Sequence, residues 1–161
     1  MKSRIYLDTS IPSAYYDTRV PIRQLITQKW FTYEVSNYEL YVSQIVLAEI
    51  NRTDDSVIRD NLIELVLGNN TQVLDTNDEA ENLAELYTGK KIIPKKVFND
   101  ALHIAVATVN NIQLIASWNF EDMVKPAAVL KINEINVKNG YNLIEIYSLE
   151  AFGGAQYGNI S

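Results

Sequence analysis

The chain has no cysteine and only one histidine, His103, in 161 residues. Without thiols there can be no disulfide, no thiolate nucleophile and no thiolate–zinc site. A single histidine excludes the HExxH type of zinc site, which needs two. Any metal centre must then be built mainly from oxygen ligands, which suit magnesium, manganese or calcium. Positive charge is also scarce: 14 Lys and Arg stand against 20 Asp and Glu, a net charge of −6. That balance provides no overall field attracting nucleic acid, so contact with RNA or DNA would need a local basic patch or bound cations. No apolar run approaches the length of a membrane span, so no membrane partner is expected. The opening MKSRIYLDTS is too short in apolar residues for a signal peptide, and a cytoplasmic location is the expectation.

What is present is an ordinary globular composition, 47% apolar and 21% charged. This length supports one domain over 1–161 with a sizeable core, the tail from about 153 being expected to fray. RIYLDTS (4–10), LYVSQ (40–44), TQVLDT (71–76), IQLIAS (112–117) and IEIYS (144–148) read as short strands. Helical spacing covers much of 21–39. Ser43 is placed to cap the helix QIVLAEINR, and further helices are expected over 55–67, closed by Gly68, and over DEAENLAELYTG. Pro94 suits the first turn of a helix over 97–109, NFEDMV reads as a short helix, and 128–140 as a last one ended by Gly140. Alternating strands and helices, with strands that are continuous apolar runs, predict an α/β fold. It is an open, doubly wound three-layer α/β/α sandwich with a mainly parallel sheet of about five strands.

Sites in such sheets lie beyond the carboxyl ends of the strands. Asp8 falls at the end of the first strand and Ser117–Asn119 at the end of the fourth, on one rim. Three acids are embedded in apolar elements: Asp8 after Ile5, Tyr6 and Leu7; Glu49 in IVLAE; and Asp100 in VFNDALHIAVATV, a helix apolar on nearly every side. Acids normally sit on the surface. Each could be satisfied locally, Asp8 by the Thr9 or Ser10 amides and Asp100 by His103. If the three converge, they repel and raise one another's pKa unless a cation neutralises them. His103, three residues after Asp100, is expected to be a hydrogen-bonded core histidine that supports the site.

In order and spacing, IYLDTS, SQIVLAEI, FNDALHIAVA and LIASWNF resemble the PIN-domain nucleases, in particular the VapC-like bacterial ones, from about Arg4 to Val124. The resemblance implies a PIN-like fold and a metal-dependent endoribonuclease that hydrolyses RNA phosphodiester bonds. Many such proteins are toxins neutralised by an antitoxin protein. Carried over by motif, it makes Asp8, Glu49 and Asp100 ligands of one or two Mg²⁺ or Mn²⁺ ions, with Asn119 joining them as a catalytic residue. Asn119 stands where the family often has a fourth acid, a role Asp122 could take one turn on. Ser10 and Ser117 are accessory candidates for contact with metal-bound water or the scissile phosphate.

Lys95 and Lys96, ahead of Asp100, are candidates for RNA phosphates. Among the aromatics, Trp118 is the one placed to stack a base beside the site. The stretch 21–39, with Trp30, Phe31 and Tyr33, could pair two copies in a homodimer or receive an antitoxin helix. Two other readings stand beside the ribonuclease. One is a catalytically weak RNA-binding or regulatory module on the same scaffold. The other is a phosphotransfer protein, for which Asp8–Thr9–Ser10 lacks the Asp-x-Asp pair of haloacid-dehalogenase-like phosphatases.

Overall fold

The computed structural model describes residues 1–153, so the expected fraying of 154–161 lies outside the described residues. Five strands form one sheet: β1 (Ser3–Leu7), β2 (Tyr38–Ser43), β3 (Gln72–Leu74), β4 (Leu114–Ala116) and β5 (Glu145–Tyr147). Every pairing is parallel and the order is β3-β2-β1-β4-β5. Among the described residues seven α-helices connect them: α1 (Ser10–Tyr16), α2 (Pro21–Tyr33), α3 (Gln44–Asn51), α4 (Ser56–Leu67), α5 (Asp78–Gly89), α6 (Phe98–Val109) and α7 (Pro126–Lys138). Among the described residues, no helix is long and apolar enough to cross a membrane.

The period-two alternation of a strand sorts side chains to opposite faces. Ile5 and Leu7 of β1 enter one core with Ile11, Trp30, Val46 and Leu62 from α1 to α4. Tyr6, between them, enters the other core with Leu83, Ile104 and Ile132 from α5, α6 and α7. Helices thus cover both faces, as a parallel sheet with apolar strands requires.

Local chemistry accounts for several helix ends. Pro21 and Pro126 open α2 and α7 at their first turns, where a missing N–H costs nothing. Ser43 caps α3 by accepting from the Ile45 N–H at 3.2 Å, and Gly140 takes the left-handed conformation just past α7 (φ 81°). Asp55 Oδ1 accepts from the Val57 and Ile58 N–H groups at 2.9 and 3.1 Å. Replacing it, Asp55→Ala, is expected to cost about 1 kcal/mol. A thermal melt should show this as a drop of roughly 2–4 °C, with activity untouched.

Two segments differ from their sequence reading. The helix proposed over 21–39 stops at Tyr33 and passes through a 3₁₀ turn (Val35–Asn37) into β2. NFEDMV is a run of turns and not a helix. Met123 and Val124 both donate their N–H to the Asn119 carbonyl, at 3.1 and 2.8 Å, and Asp122 N–H donates to the Asn119 side chain at 3.1 Å. Those bonds wrap the segment around Asn119, and Pro126 then starts α7 afresh.

Candidate functional site

The chain leaves β1 for β2 and β3 on one side and places β4 and β5 on the other, so the order reverses between β1 and β4. A crevice beyond the carboxyl ends of the strands opens at such a switch point. The ladder holds it in register: Asp8 N–H donates to the Ala116 carbonyl at 3.2 Å, and Ser117 N–H to the Tyr147 carbonyl at 3.0 Å.

Asp8 is buried, 3% exposed. Its Oδ1 accepts from the Ser10 N–H (3.1 Å) and hydroxyl (2.5 Å), and its Oδ2 from the Ser117 hydroxyl (2.5 Å). Burial pushes its pKa up, against the charge of His103 and the Ser10 and Ser117 hydrogen bonds. Ser10 and Ser117 therefore meet at this carboxylate. Ser117 Oγ also accepts from the Asn119 N–H at 3.0 Å, and Ser10 Oγ from the Trp118 N–H at 2.8 Å.

Asp100, in the first turn of α6, accepts at Oδ2 from Asn119 Nδ2 at 3.0 Å. Its pKa rises to about 6, chiefly by burial, with His103 opposing and the charges of Asp8, Asp122 and Glu49 adding to the rise. Asp100 thus senses each of the other acids proposed from sequence. The rest of α6 from Ala101 to Thr108 is buried, which leaves the Asp100 end of the helix as the part that meets the rim.

Glu49 comes from α3 and is held by two donors on Oε1: the Thr9 hydroxyl and His103 Nε2, each at 2.8 Å. Burial raises its pKa, but the His103 hydrogen bond and charge, the Thr9 bond and the nearby Arg52 charge outweigh it, leaving a net lowering. Glu49 therefore stays ionised while its two neighbours resist ionisation.

His103 is buried and connects both sides of this arrangement. Its Nδ1 lies 2.7 Å from the Tyr6 hydroxyl, which in turn lies 2.7 Å from Ser43 Oγ. A carboxylate can only accept, so Nε2 carries a proton. The Tyr6 hydroxyl bridges Nδ1 and Ser43 Oγ, donating to one and accepting from the other, and Ser43 Oγ accepts from the Ile45 N–H. Burial holds the Tyr6 phenol far above its usual pKa, keeping that donor protonated. Every member is satisfied, and the chain of bonds fixes the ring plane that faces Glu49. The expectation of a hydrogen-bonded core histidine describes His103, and its Nε2 touches the site as well.

Sequence reasoning named neither Tyr6 nor Arg52, and it named Thr9 only for its amide and Ser43 only as a helix cap, not for their bonds to Glu49 and Tyr6. Only Arg52 had a local signal, standing three positions after Glu49, the spacing of neighbours on a helix. The remaining candidates differ in their surroundings. Asp122 is folded against Asn119. Lys95 and Lys96 are exposed in a 3₁₀ turn (Lys95–Val97) that leads into α6. Trp118, expected to stack a base, is only 6% exposed and packs in the core formed with α1 to α4. Its neighbour Phe120 is the exposed ring. Trp30 is likewise fully buried, so of the aromatics named on α2 only Tyr33 is strongly exposed.

The cation implied by the family resemblance can be tested against these groups. The donors are carboxylate, hydroxyl and amide oxygens, which suit Mg²⁺ or Mn²⁺. Among the described residues no Lys or Arg forms an ion pair with Asp8, Glu49 or Asp100, so the mutual repulsion at Asp100 is left for a cation to relieve. No group of three His, Cys, Asp or Glu among the described residues is drawn together tightly enough to hold a metal as it stands. The fit is one of donor chemistry and charge, with the carboxylates still engaged by their protein donors.

The sheet is open and doubly wound, with Asp8 and Ser117 beyond the carboxyl ends of β1 and β4 at its switch point. The PIN domain model matches residues 5–121, and the chain belongs to that family. Solved structures give the same fold. VapC20 from Mycobacterium tuberculosis, a sarcin-ricin loop cleaving toxin, aligns with TM-score 0.59 and 19% identity over 73% of this chain and 91% of its own. VapBC2 from Rickettsia felis, bound to a DNA fragment from its promoter, aligns at 0.57 and 16% over 90% and 98%. FitAcB from Neisseria gonorrhoeae aligns at 0.55 and 13% over 90% and 97%. No curated protein sequence matches the chain.

Proposed function

We propose that this protein is a divalent-cation-dependent endoribonuclease and the toxin of a toxin–antitoxin pair. One observation carries the reading: Asp8, Glu49 and Asp100 come from three separate elements, yet burial and mutual repulsion lift Asp100 to about 6 at the sheet's switch point. Stored repulsion of this kind favours a site that receives a cation. The structural relative VapC20, a sarcin-ricin loop cleaving toxin, favours RNA as the substrate.

Asp8, Glu49 and Asp100 would hold Mg²⁺ or Mn²⁺, with Asn119 orienting Asp100 through its amide. When bound, such an ion polarises the phosphate and lowers the pKa of water. The chain's own part is positional. The Ser10 and Ser117 hydroxyls fix the Asp8 carboxylate, and Thr9 and His103 fix an ionised Glu49. Lys95 and Lys96 draw the RNA backbone toward α6. The double variant Lys95→Gln/Lys96→Gln is expected to raise KM several-fold and leave kcat near that of the parent, and steady-state cleavage at two salt concentrations checks this.

The direct test is cleavage of single-stranded RNA in Mn²⁺ by the parent and by Asp100→Asn, its fold verified by circular dichroism. Equal cleavage by both would remove the assignment. The weak-module reading has its own support in Asn119, an amide where an acid was expected, and Mn²⁺ binding without turnover would favour it.

On the toxin side, exposed apolar residues on α2 (Ile22, Leu25, Tyr33) and α4 (Val57, Leu67) offer faces for an antitoxin helix or a second copy of the chain. A short neighbouring reading frame whose product suppresses cleavage is the expected finding.

A further inference from the structure

The rim is acidic and the whole chain carries net charge −6, so a polyanion needs a grip beside the carboxylates. The turn after β4 places one there. Phe120 follows Asn119 directly and is 46% exposed, whereas Trp118, preceding it, is 6% exposed. Trp118 is fixed at two points: its main-chain N–H donates to Ser10 Oγ at 2.8 Å and its indole N–H to Thr27 Oγ1 at 3.0 Å. The Trp118 and Phe120 rings lie 6.2 Å apart, and Arg23 from α2 reaches over both. Its guanidinium carbon sits 5.2 Å from the Trp118 centroid and 5.7 Å from that of Phe120.

Stacking uses the plane of a guanidinium and leaves its N–H edge available, the edge that matches a phosphate bidentately. Among the described residues Arg23 forms no ion pair. An exposed aromatic face therefore stands beside a guanidinium with no ion pair, both packed on a buried tryptophan, and Phe120 directly follows Asn119, the residue that holds Asp100. Single-stranded nucleic acid is bound by this combination of ring faces and cations.

We propose that Arg23 and Phe120, braced on Trp118, form a subsite for single-stranded RNA beside the acidic rim. Phe120 stacks one base and Arg23 contacts a phosphate next to it. The inference rests on the ribonuclease reading, and its test separates the two.

The experiment measures binding of a fluorescein-labelled single-stranded RNA 12-mer of mixed sequence by anisotropy, with Ca²⁺ replacing Mn²⁺, across a salt series. Phe120→Leu keeps the apolar bulk and removes the π face. It is expected to weaken binding about tenfold or more with an unchanged salt slope, and Phe120→Tyr should restore affinity. Arg23→Ala should lower the log–log salt slope by about 0.7, one single-strand phosphate contact, and Arg23→Lys should recover most of that slope.

If the Arg23 and Phe120 variants bind within twofold of the parent, the subsite is overturned while the ribonuclease reading stands. The subsite is equally overturned if Arg23→Ala weakens binding with no change of slope, because the arginine would then be only a clasp between α2 and the turn. If the parent itself neither binds the 12-mer in Ca²⁺ nor cleaves RNA in Mn²⁺, the ribonuclease reading fails and takes the subsite with it.

Discussion

Asp100→Asn is expected to make the cation-free protein more stable and to abolish RNA cleavage. The folded-state pKa of Asp100, about 6, lies above the ordinary 3.8, so folding favours its neutral form. The stability tied to that neutral form is fully present below about pH 4 and is lost as pH rises through about 6. At 1.36 kcal/mol per pH unit, the full penalty would approach about 3 kcal/mol. Asp100 is only partly buried, and solvent screening reduces this to roughly 1–1.5 kcal/mol.

Asparagine stays neutral and still accepts from Asn119, so the variant avoids the loss. Its melting temperature should match the parent's below pH 4 and exceed it by roughly 2–6 °C above pH 7. Saturating Mn²⁺ should reverse the order, since a ligand at a hundred times its Kd adds about 2.7 kcal/mol to the protein that binds it. Cleavage should fall about a thousandfold, the equivalent of some 4 kcal/mol of lost electrostatic stabilisation. Melting curves at the two pH values with EDTA or Mn²⁺, beside RNA cleavage, check all of this.

The second large effect belongs to His103. Removing the ring in His103→Ala opens a cavity, leaves the Tyr6 hydroxyl with Ser43 alone and leaves an ionised Glu49 with only the Thr9 hydroxyl. A cost of about 2–4 kcal/mol in urea unfolding is expected. In the surviving folded fraction, kcat/KM should fall roughly 10- to 100-fold, as for other partners that orient a ligand. Glutamine can donate to Glu49 from its amide nitrogen and accept from Tyr6 at its oxygen. His103→Gln should therefore recover more than half of the lost stability and at least tenfold of the lost activity. A purely space-filling ring would be replaced better by leucine. If His103→Leu outperforms His103→Gln in activity, the role of His103 in holding Glu49 is wrong.

The parts of the molecule legible in the sequence are those set by neighbours along the chain. Five strands, the Ser43 cap and the strand-end positions of Asp8 and Ser117 all follow from local apolar runs and local donors. Asp100 was visible because an acid among apolar residues breaks the periodic pattern. What escaped depends on contacts between distant residues. Tyr6 and His103 are 97 positions apart, and nothing local marks Tyr6 as other than a core aromatic. Trp118 and Thr27 are 91 apart, so the tryptophan looked like a stacking surface when its indole N–H is spent inside the fold. NFEDMV has a helical composition, but the Asn119 carbonyl and side chain accept three N–H groups and coil the segment back on itself.

The central claim is that the carboxylates converging beyond β1, α3 and α6 form a hard-cation site. Electron paramagnetic resonance of free Mn²⁺ during titration of the protein tests it without relying on an RNA substrate. The parent is expected to deplete the free Mn²⁺ signal, with affinity at least tenfold weaker in Asp100→Asn and in Glu49→Gln. Superimposable titrations for the parent and both variants would contradict it.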